Sequence, residues 1–473
     1  MHLKKYGLLG LILLFTLPAF SQKGYNIKVR VAPLHDTVCY FGYYYGDKTY
    51  IKDTARVDHN SNVIFKGKDS IGGGIYLVVL PRKTYFEVII DKSRDFSLKT
   101  DTADFIKNMA VSGSPENEVF YTYQKFMQKL EDSIGILQAA ATKNKSNKDS
   151  TKIITAKFKS ITKRIADYRN VIIAKYPQSF FAKVLTAMKE TDVPADPPKT
   201  PDGKLVDSFF AYHYYKAHIF DNIDFSDSRL LRTPVLATKV KMFLESYTYQ
   251  IPDSLIIATD IILEKAKADK EVFKYFLSEL TPKYEESKIM GMDAVFVHLV
   301  QRYYLSGQAD WVSKEVLDKM RDRVNKISPN LLGKYAPVLT MQDTSFKQVS
   351  LYDVKSKYTL IVFWKYDCGH CEHELPILVD EYNKKLKAKG VTVFTGCTGD
   401  DTIAWKKFIR NNKMGDFINV FDPEMMSNYY NLYDVYSTPT VYLLDENKKI
   451  IAKRIDVDKI ADFIDNTEKR LPN

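Results

Sequence analysis

Cys368-Gly369-His370-Cys371 constrains the fold of this chain more than any other stretch, because of what flanks it. Upstream, Tyr358-Thr359-Leu360-Ile361-Val362-Phe363-Trp364 is apolar and rich in β-branched and aromatic residues, the pattern of a buried strand. Downstream, residues 372–389 carry a helical pattern with Pro376 near its start. A strand, a tight turn, Cys-x-x-Cys and a helix, in that order, place Cys368 at a helix N-terminus. There the unpaired backbone N–H groups and the positive end of the helix dipole favour a thiolate.

From about residue 333 the pattern alternates strand and helix. Besides the strand ending at Trp364, strands are expected at 392–395, 418–421, 440–444 and 450–454, and helices at about 371–389, 402–412, 424–430 and 457–470. This predicts an α/β layer architecture with helices on both faces of one sheet. Disulfide exchange requires an attacking thiolate, an accessible sulfur and a second thiol that resolves the mixed disulfide. Cys368 at the turn is the expected nucleophile and Cys371, one helical turn on, the expected resolver; together they form the redox disulfide. His370 between them favours the thiolate and pushes the couple towards an oxidant or isomerase, whereas the charge of Asp367 pushes the other way.

Competing readings are weaker. A metal site from Cys368, His370, Cys371 and His373 lacks a second ligand pair at finger spacing, so no metal is expected. Haem attachment needs histidine directly after the second cysteine, and Glu372 is there. A purely structural bridge over two intervening residues would constrain little of the unfolded chain. Ser437-Thr438-Pro439-Thr440 adds a proline directly before a strand, downstream of the cysteines.

With these residues in hand, the segment from Phe363-Trp364 through Cys368-Gly369-His370-Cys371-Glu372-His373-Glu374-Leu375-Pro376 resembles the TlpA/ResA-like branch of the thioredoxin superfamily. The Thr438-Pro439-Thr440 element shares the resemblance, which spans about residues 334–473. It implies a thioredoxin fold, Cys368 as nucleophile, Cys371 as resolver and a cis Pro439 beside them. Thr438, Pro439 and Trp364 are the expected substrate-binding residues. Glu374 matches the acidic residue that the branch carries three positions after the second cysteine, where a carboxylate can take the proton from Cys371. The chain departs from the branch at Asp367, where tryptophan is common, and at His370, where proline is common. Its Cys-Gly-His-Cys tetrad matches protein disulfide isomerases instead.

The remaining residues set the context. Lys4, Lys5, the apolar stretch 8–20 and Ala19-Phe20-Ser21 read as a secretory leader over 1–21, cleaved before Gln22. With no cysteine near that point, and no later stretch apolar and long enough for a bilayer, a soluble periplasmic protein is expected. Four cysteines in 473 residues are not a disulfide scaffold; Cys39 and Cys397 read as buried, inert thiols. The net charge of +11 owes much to a Lys-rich helical stretch at 143–175. That is read as a solvated helix face, with no nucleic acid as partner.

Residues 22–113 read as an antiparallel β domain, with strands at 25–31, 37–45, 62–65, 74–81 and 84–90. The aromatic run Tyr40 to Tyr45 reads as core and cross-strand packing. Ser114-Pro115-Glu116 opens a helical domain at 114–332, broken at 143–149 and 194–203. Within it, Asp221, Asp224 and Asp227 read as caps and salt bridges rather than a cation site, and Asp293 and His298 as hydrogen-bonded structure. The thioredoxin-like domain at 333–473 follows.

The expected protein is multidomain: an N-terminal antiparallel β domain, a central all-α domain and a C-terminal α/β thioredoxin fold. Its expected function is that of an exported thiol-disulfide oxidoreductase, acting as a reductase on protein thiols and disulfides. It would use no cofactor and exchange electrons with a membrane donor or acceptor. The alternatives are a disulfide isomerase or oxidase, or a periplasmic binding protein whose thioredoxin module is only an adaptor. A peroxiredoxin would need an isolated cysteine in a Pro-x-x-x-Thr-x-x-Cys context, which the sequence lacks. Composition leaves the oligomeric state open.

Overall fold

A computed structural model describes residues 24–143 and 147–470; the leader expected at 1–21 lies outside the described residues. Among the described residues, no helix is long and apolar enough to cross a membrane. The chain divides into two compact units, one up to Met242 and the other from Phe243, with the division inside the helix Pro234–Ser246.

The first unit begins with strands β1 (Tyr25–Ala32), β2 (Val38–Tyr45), β3 (Lys48–Arg56), β4 (Asn62–Gly67), β5 (Gly74–Val79), β6 (Tyr85–Ile90), β7 (Asp95–Asp101) and β8 (Ala110–Ser112). They form two four-stranded sheets, β4-β1-β7-β8 and β3-β2-β5-β6. Pairing is antiparallel except between β1 and β7, which run parallel. Alternation drives the burial: Ile27, Val29 and Val31 of β1 face inward while Lys28 and Arg30 do not. Phe41 of β2 stacks on Phe65 of the other sheet at 5.1 Å and on Tyr76 at 5.0 Å, so part of the aromatic run is core.

A helical hairpin follows, Pro115–Lys143 and Lys148–Lys175. Ser114 accepts from the Asn117 N–H at 3.4 Å, and the Asn147 side chain accepts from Ser150 N at 3.0 Å, so each helix opens on a capping side chain. Leu130 and Leu137 of the first helix pack on Ile161 of the second. Asp227 is nearly buried and bonded by both Arg229 and Lys183. Burial opposes its charge, but these bonds outweigh burial and hold its pKa at about 2. Asp224 also pairs with Lys183, and Asp221 with His218.

The second unit opens with the helices Pro252–Ala266, Lys270–Glu285, Asp293–Leu299 and Lys314–Ile327. His298 meets Asp260 at 2.8 Å, and Tyr303 donates to the same carboxylate at 2.8 Å. Beyond them, β9 (Thr340–Asp343), β10 (Gln348–Ser350), β11 (Tyr358–Trp364), β12 (Val391–Cys397), β13 (Ile418–Phe421), β14 (Thr440–Leu444) and β15 (Ile450–Lys453) form one sheet in the order β10-β9-β13-β12-β11-β14-β15. β11 is parallel to β12, and β12 to β13; β14 runs antiparallel to β11.

Every residue of β11 is buried because both faces of this central strand are covered. Leu360, Val362 and Trp364 join the cluster under the helices Gly369–Glu381, Thr402–Asn411 and Ile460–Arg470. Ile361 and Phe363 join the opposite cluster with Tyr429 and Tyr433. The helix expected at 424–430 is instead a single turn, Tyr429–Leu432, because Asp422 draws the N–H groups of Met426 and Ser427 into a loop.

Buried polar contacts tie the helices before the sheet to the sheet itself. Lys453 of β15 pairs with Asp293 and donates to both the backbone and side-chain oxygens of Asn330, at 3.1 and 3.2 Å. Asn330 in turn donates to the Leu432 carbonyl at 3.1 Å.

Candidate active site

Cys368 is the cap residue of the helix Gly369–Glu381, with extended backbone, and its carbonyl accepts the first helical bond, from Glu372 N at 3.0 Å. The turn between β11 and this helix is fixed by Tyr366. Its hydroxyl donates to Asp400 at 2.8 Å and accepts from Asp401 N at 3.0 Å. The ring lies so close to Gly399 that a Cβ there would sit 2.2 Å from it, so a larger residue would have to displace the ring.

The cysteines differ sharply in exposure. Cys368 is partly exposed, whereas Cys371, one turn on, is fully buried in the core cluster. The Thr438–Pro439 bond is cis. Its loop brings Thr438 against the first cysteine, with Cys368 Sγ 3.3 Å from the Thr438 carbonyl oxygen. Thr440 clasps the same loop by donating to the Ser437 carbonyl at 2.6 Å.

These surroundings separate the two thiols electrostatically. For Cys368, burial raises the pKa. Hydrogen bonds from Thr438 and from the Cys371 and His370 backbone outweigh it, so the net shift is downward from the ordinary thiol value. Burial pushes Cys371 up to about 12. The result is one sulfur disposed to ionise at the surface and one held as a thiol behind it. Cys397 and Cys39 are fully buried, and burial pushes them up to about 12 and about 11.

The other sequence candidates fall in different places. His370 is exposed at the helix start. Asp367 is exposed too and bonded to Lys365 at 3.1 Å, so a neighbouring cation offsets the charge expected to oppose the Cys368 thiolate. Glu374 is one third exposed and lies 3.1 Å from His373 Nδ1. Trp364 is corrected: its ring is fully buried, 4.6 Å from Phe408, and presents no surface to a substrate. Trp364 shares the buried face of Leu360 and Val362, and the unbroken apolar run of β11 was the signal for core.

The sequence reading did not single out Asp434, Tyr436, Arg323 and Arg454. Asp434 is buried with φ 48°, and bonds Arg323 at 2.7 Å and Arg454 at 2.6 Å. Tyr436, 60% exposed, lies under both guanidiniums, 5.8 Å from Arg323 and 4.8 Å from Arg454. A buried acid two residues ahead of an exposed aromatic carries no pattern in the sequence. The two arginines come from distant parts of the chain.

Residues 332–453 match the AhpC/TSA family model, residues 139–327 a Domain of unknown function (DUF5106) and residues 25–120 a Domain of unknown function (DUF4369). The thiol-disulfide oxidoreductase ResA of Bacillus subtilis is 29% identical over 119 residues, 25% of this chain and 64% of that protein. ResA of Bacillus cereus is 29% identical over 124 residues, 26% of this chain and 69% of that protein. The chain thus spans about two thirds of the length of the curated relatives it matches.

Among solved structures, a domain of a possible thiol-disulfide isomerase from Cytophaga hutchinsonii is 45% identical. The match covers 29% of this chain and 94% of that one, with a TM-score of 0.28. A thioredoxin-like protein from Bacteroides caccae is 19% identical over 59% of this chain and 99% of that one, with a TM-score of 0.44. The C-terminal region is a thioredoxin-like domain, preceded by two domains of unknown function.

Proposed function

We propose, from the AhpC/TSA thioredoxin-like domain in its C-terminal third, that this chain is an exported thiol-disulfide oxidoreductase that reduces disulfides in proteins. One observation carries the reading: a partly exposed Cys368 whose surroundings favour the thiolate sits in front of a buried Cys371, beside the Thr438–Pro439 loop.

In this reading the Cys368 thiolate attacks one sulfur of a substrate disulfide. A Cys368–substrate disulfide forms, and the other substrate sulfur leaves as a thiolate that takes a proton. Cys371 gives up its proton, for which Glu374 is the proposed acceptor, and attacks Cys368. The Cys368–Cys371 disulfide forms and the second substrate thiolate leaves. Two electrons pass from the dithiol to the substrate, and an external donor on the membrane side returns them. Thr438 and Pro439 hold the substrate backbone. The segments 22–113 and 114–332 serve partner selection in a periplasmic protein released from its 1–21 leader.

Replacing Cys371 by Ala tests the reaction. It removes the resolving sulfur, so substrate proteins accumulate as adducts on Cys368, visible by non-reducing gel and mass spectrometry; absence of adducts overturns the reading. Equilibration of the wild-type protein against glutathione tests the direction. A potential near or below roughly −270 mV marks a reductase, and one near or above roughly −180 mV an isomerase or oxidant.

A further inference from the structure

The helix Lys314–Ile327 belongs to the region before the thioredoxin-like sheet, yet one of its faces forms a wall beside the Pro439 loop. Lys319, Arg323 and Lys326 are spaced along that face by four and then three residues. They line a cleft of about 420 Å³ whose opposite wall is Tyr430, Asp434 and Tyr436. The cleft is rigid at its base, because Arg323 and Arg454 both bond the buried Asp434, and Arg323 also meets Glu285 at 3.5 Å. Its rim is cationic and aromatic. Lys326 sits 5.0 Å over the exposed Tyr430 ring, and the two arginines flank Tyr436.

Two observations say what fits there. First, the base acids are already neutralised: Asp434 by two arginines and Glu285 by one. Among the described residues no carboxylate bridges Lys319 or Lys326, so of the lining acids only Asp322 opposes their charge. Second, Tyr436 is two residues before Thr438, which touches Cys368, and two residues of chain span at most about 7 Å. A polypeptide whose cysteine lies at Cys368 therefore reaches the cleft within about three residues in extended form.

We infer that this cleft is a docking subsite for the substrate polypeptide, and that it takes an extended acidic segment flanking the target cysteine. The charges of Lys319 and Lys326 meet its carboxylates, and the exposed rings of Tyr436 and Tyr430 border it. The inference deepens the dithiol reading by naming the substrate class, and it makes the helical region part of the site.

The test measures binding, not sulfur chemistry. Two fluorescein-labelled peptides carry serine in place of the target cysteine, one flanked by Asp and Glu and the other by Lys, and are titrated with the full chain at low salt. The wild-type protein is expected to bind the acidic peptide about tenfold more tightly, corresponding to about 1.4 kcal/mol. In Lys319→Glu/Lys326→Glu the preference is expected to vanish. Tyr436→Ala, at an exposed position that does not threaten folding, is expected to weaken binding of the acidic peptide. A control, Lys384→Glu/Lys385→Glu on the helical segment after Glu381, is expected to retain the preference, which separates the cleft from the general positive charge of the chain. Equal binding of the two peptides overturns the inference. So does a preference that survives in Lys319→Glu/Lys326→Glu, or one lost equally in the control. Because no thiol takes part, the cleft can fail while the glutathione couple of Cys368 and Cys371 stands, and the reverse.

Discussion

The sulfur of Cys368 lies 3.3 Å from the carbonyl oxygen of Thr438, seventy positions further along the chain. The contact exists because β14, which Thr440 begins, pairs antiparallel with β11, whose end leads into the cysteine turn. Thr438 acts in two ways. Its carbonyl accepts from the thiol form, and its side chain donates to the thiolate form, with the net balance at Cys368 on the side of ionisation.

Alkylation kinetics should report that balance. With its pKa below the ordinary thiol value, Cys368 stays ionised to lower pH than free cysteine. Its iodoacetamide rate should then reach half-maximum at a lower pH than that of an ordinary thiol. Cys371, held at about 12, should stay unreactive across that range, so mass spectrometry at neutral pH should find one modified cysteine per folded chain. Thr438→Val removes a donor to the thiolate, so the half-maximum should move upward. An unchanged profile in that variant would assign the lowered pKa to the helix N-terminus alone.

Replacements at Trp364 should separate core from substrate contact. The ring is fully buried, so Trp364→Ala should cost about 3–5 kcal/mol in a urea titration. Trp364→Phe keeps an aromatic ring against Phe408 and should leave the alkylation rate of Cys368 unchanged. A Phe variant that folds as wild type yet loses reaction with protein disulfides would return Trp364 to the substrate site.

How much of this was legible in the sequence follows from where burial leaves a periodic signal. β11, the Cys368 turn and the helix after it could be read because a two-sided buried strand is apolar throughout and Cys-x-x-Cys marks its end. β3 could not: its residues 48–56 are almost all exposed, so no alternation of apolar and polar side chains betrays an edge strand. β7 did carry the signal, with Phe96, Leu98 and Thr100 buried in alternation, but it is flanked by Lys and Asp and reads as polar. The parallel β1–β7 pairing and the two-arginine grip on Asp434 depend on residues far apart in the chain, and no local pattern encodes them.

Asp434→Ala probes that grip as a stability element. The carboxylate is 4% exposed and bonds two arginines, so its removal leaves both guanidiniums without their common partner. Loss of one member of a buried charge network costs about 3 kcal/mol or more. The unfolding midpoint in urea should fall accordingly. A shift no larger than that of an exposed pair such as Lys163–Asp167 would mean that solvent already compensates the two arginines.

The resolving step gives the sharpest test of Glu374. At neutral pH a thiol whose pKa is about 12 is ionised in only about one molecule in 10⁵, so Cys371 must lose its proton as it attacks. Glu374 lies three residues after Cys371 on the same helix, a spacing that makes them neighbours on one face. Its carboxylate meets His373 and is one third open to solvent, which leaves a path for the proton. Glu374→Gln keeps the shape and removes the base. If the carboxylate takes the proton, decay of a preformed Cys368 mixed disulfide should slow by about a hundredfold. The attack step, followed by alkylation of Cys368, should keep its wild-type rate and pH profile. Raising the pH should restore the variant, because hydroxide then replaces the missing base. A variant that resolves the mixed disulfide at the wild-type rate would show that water reaches Cys371 directly, leaving Glu374 as a partner of His373 on the helix surface.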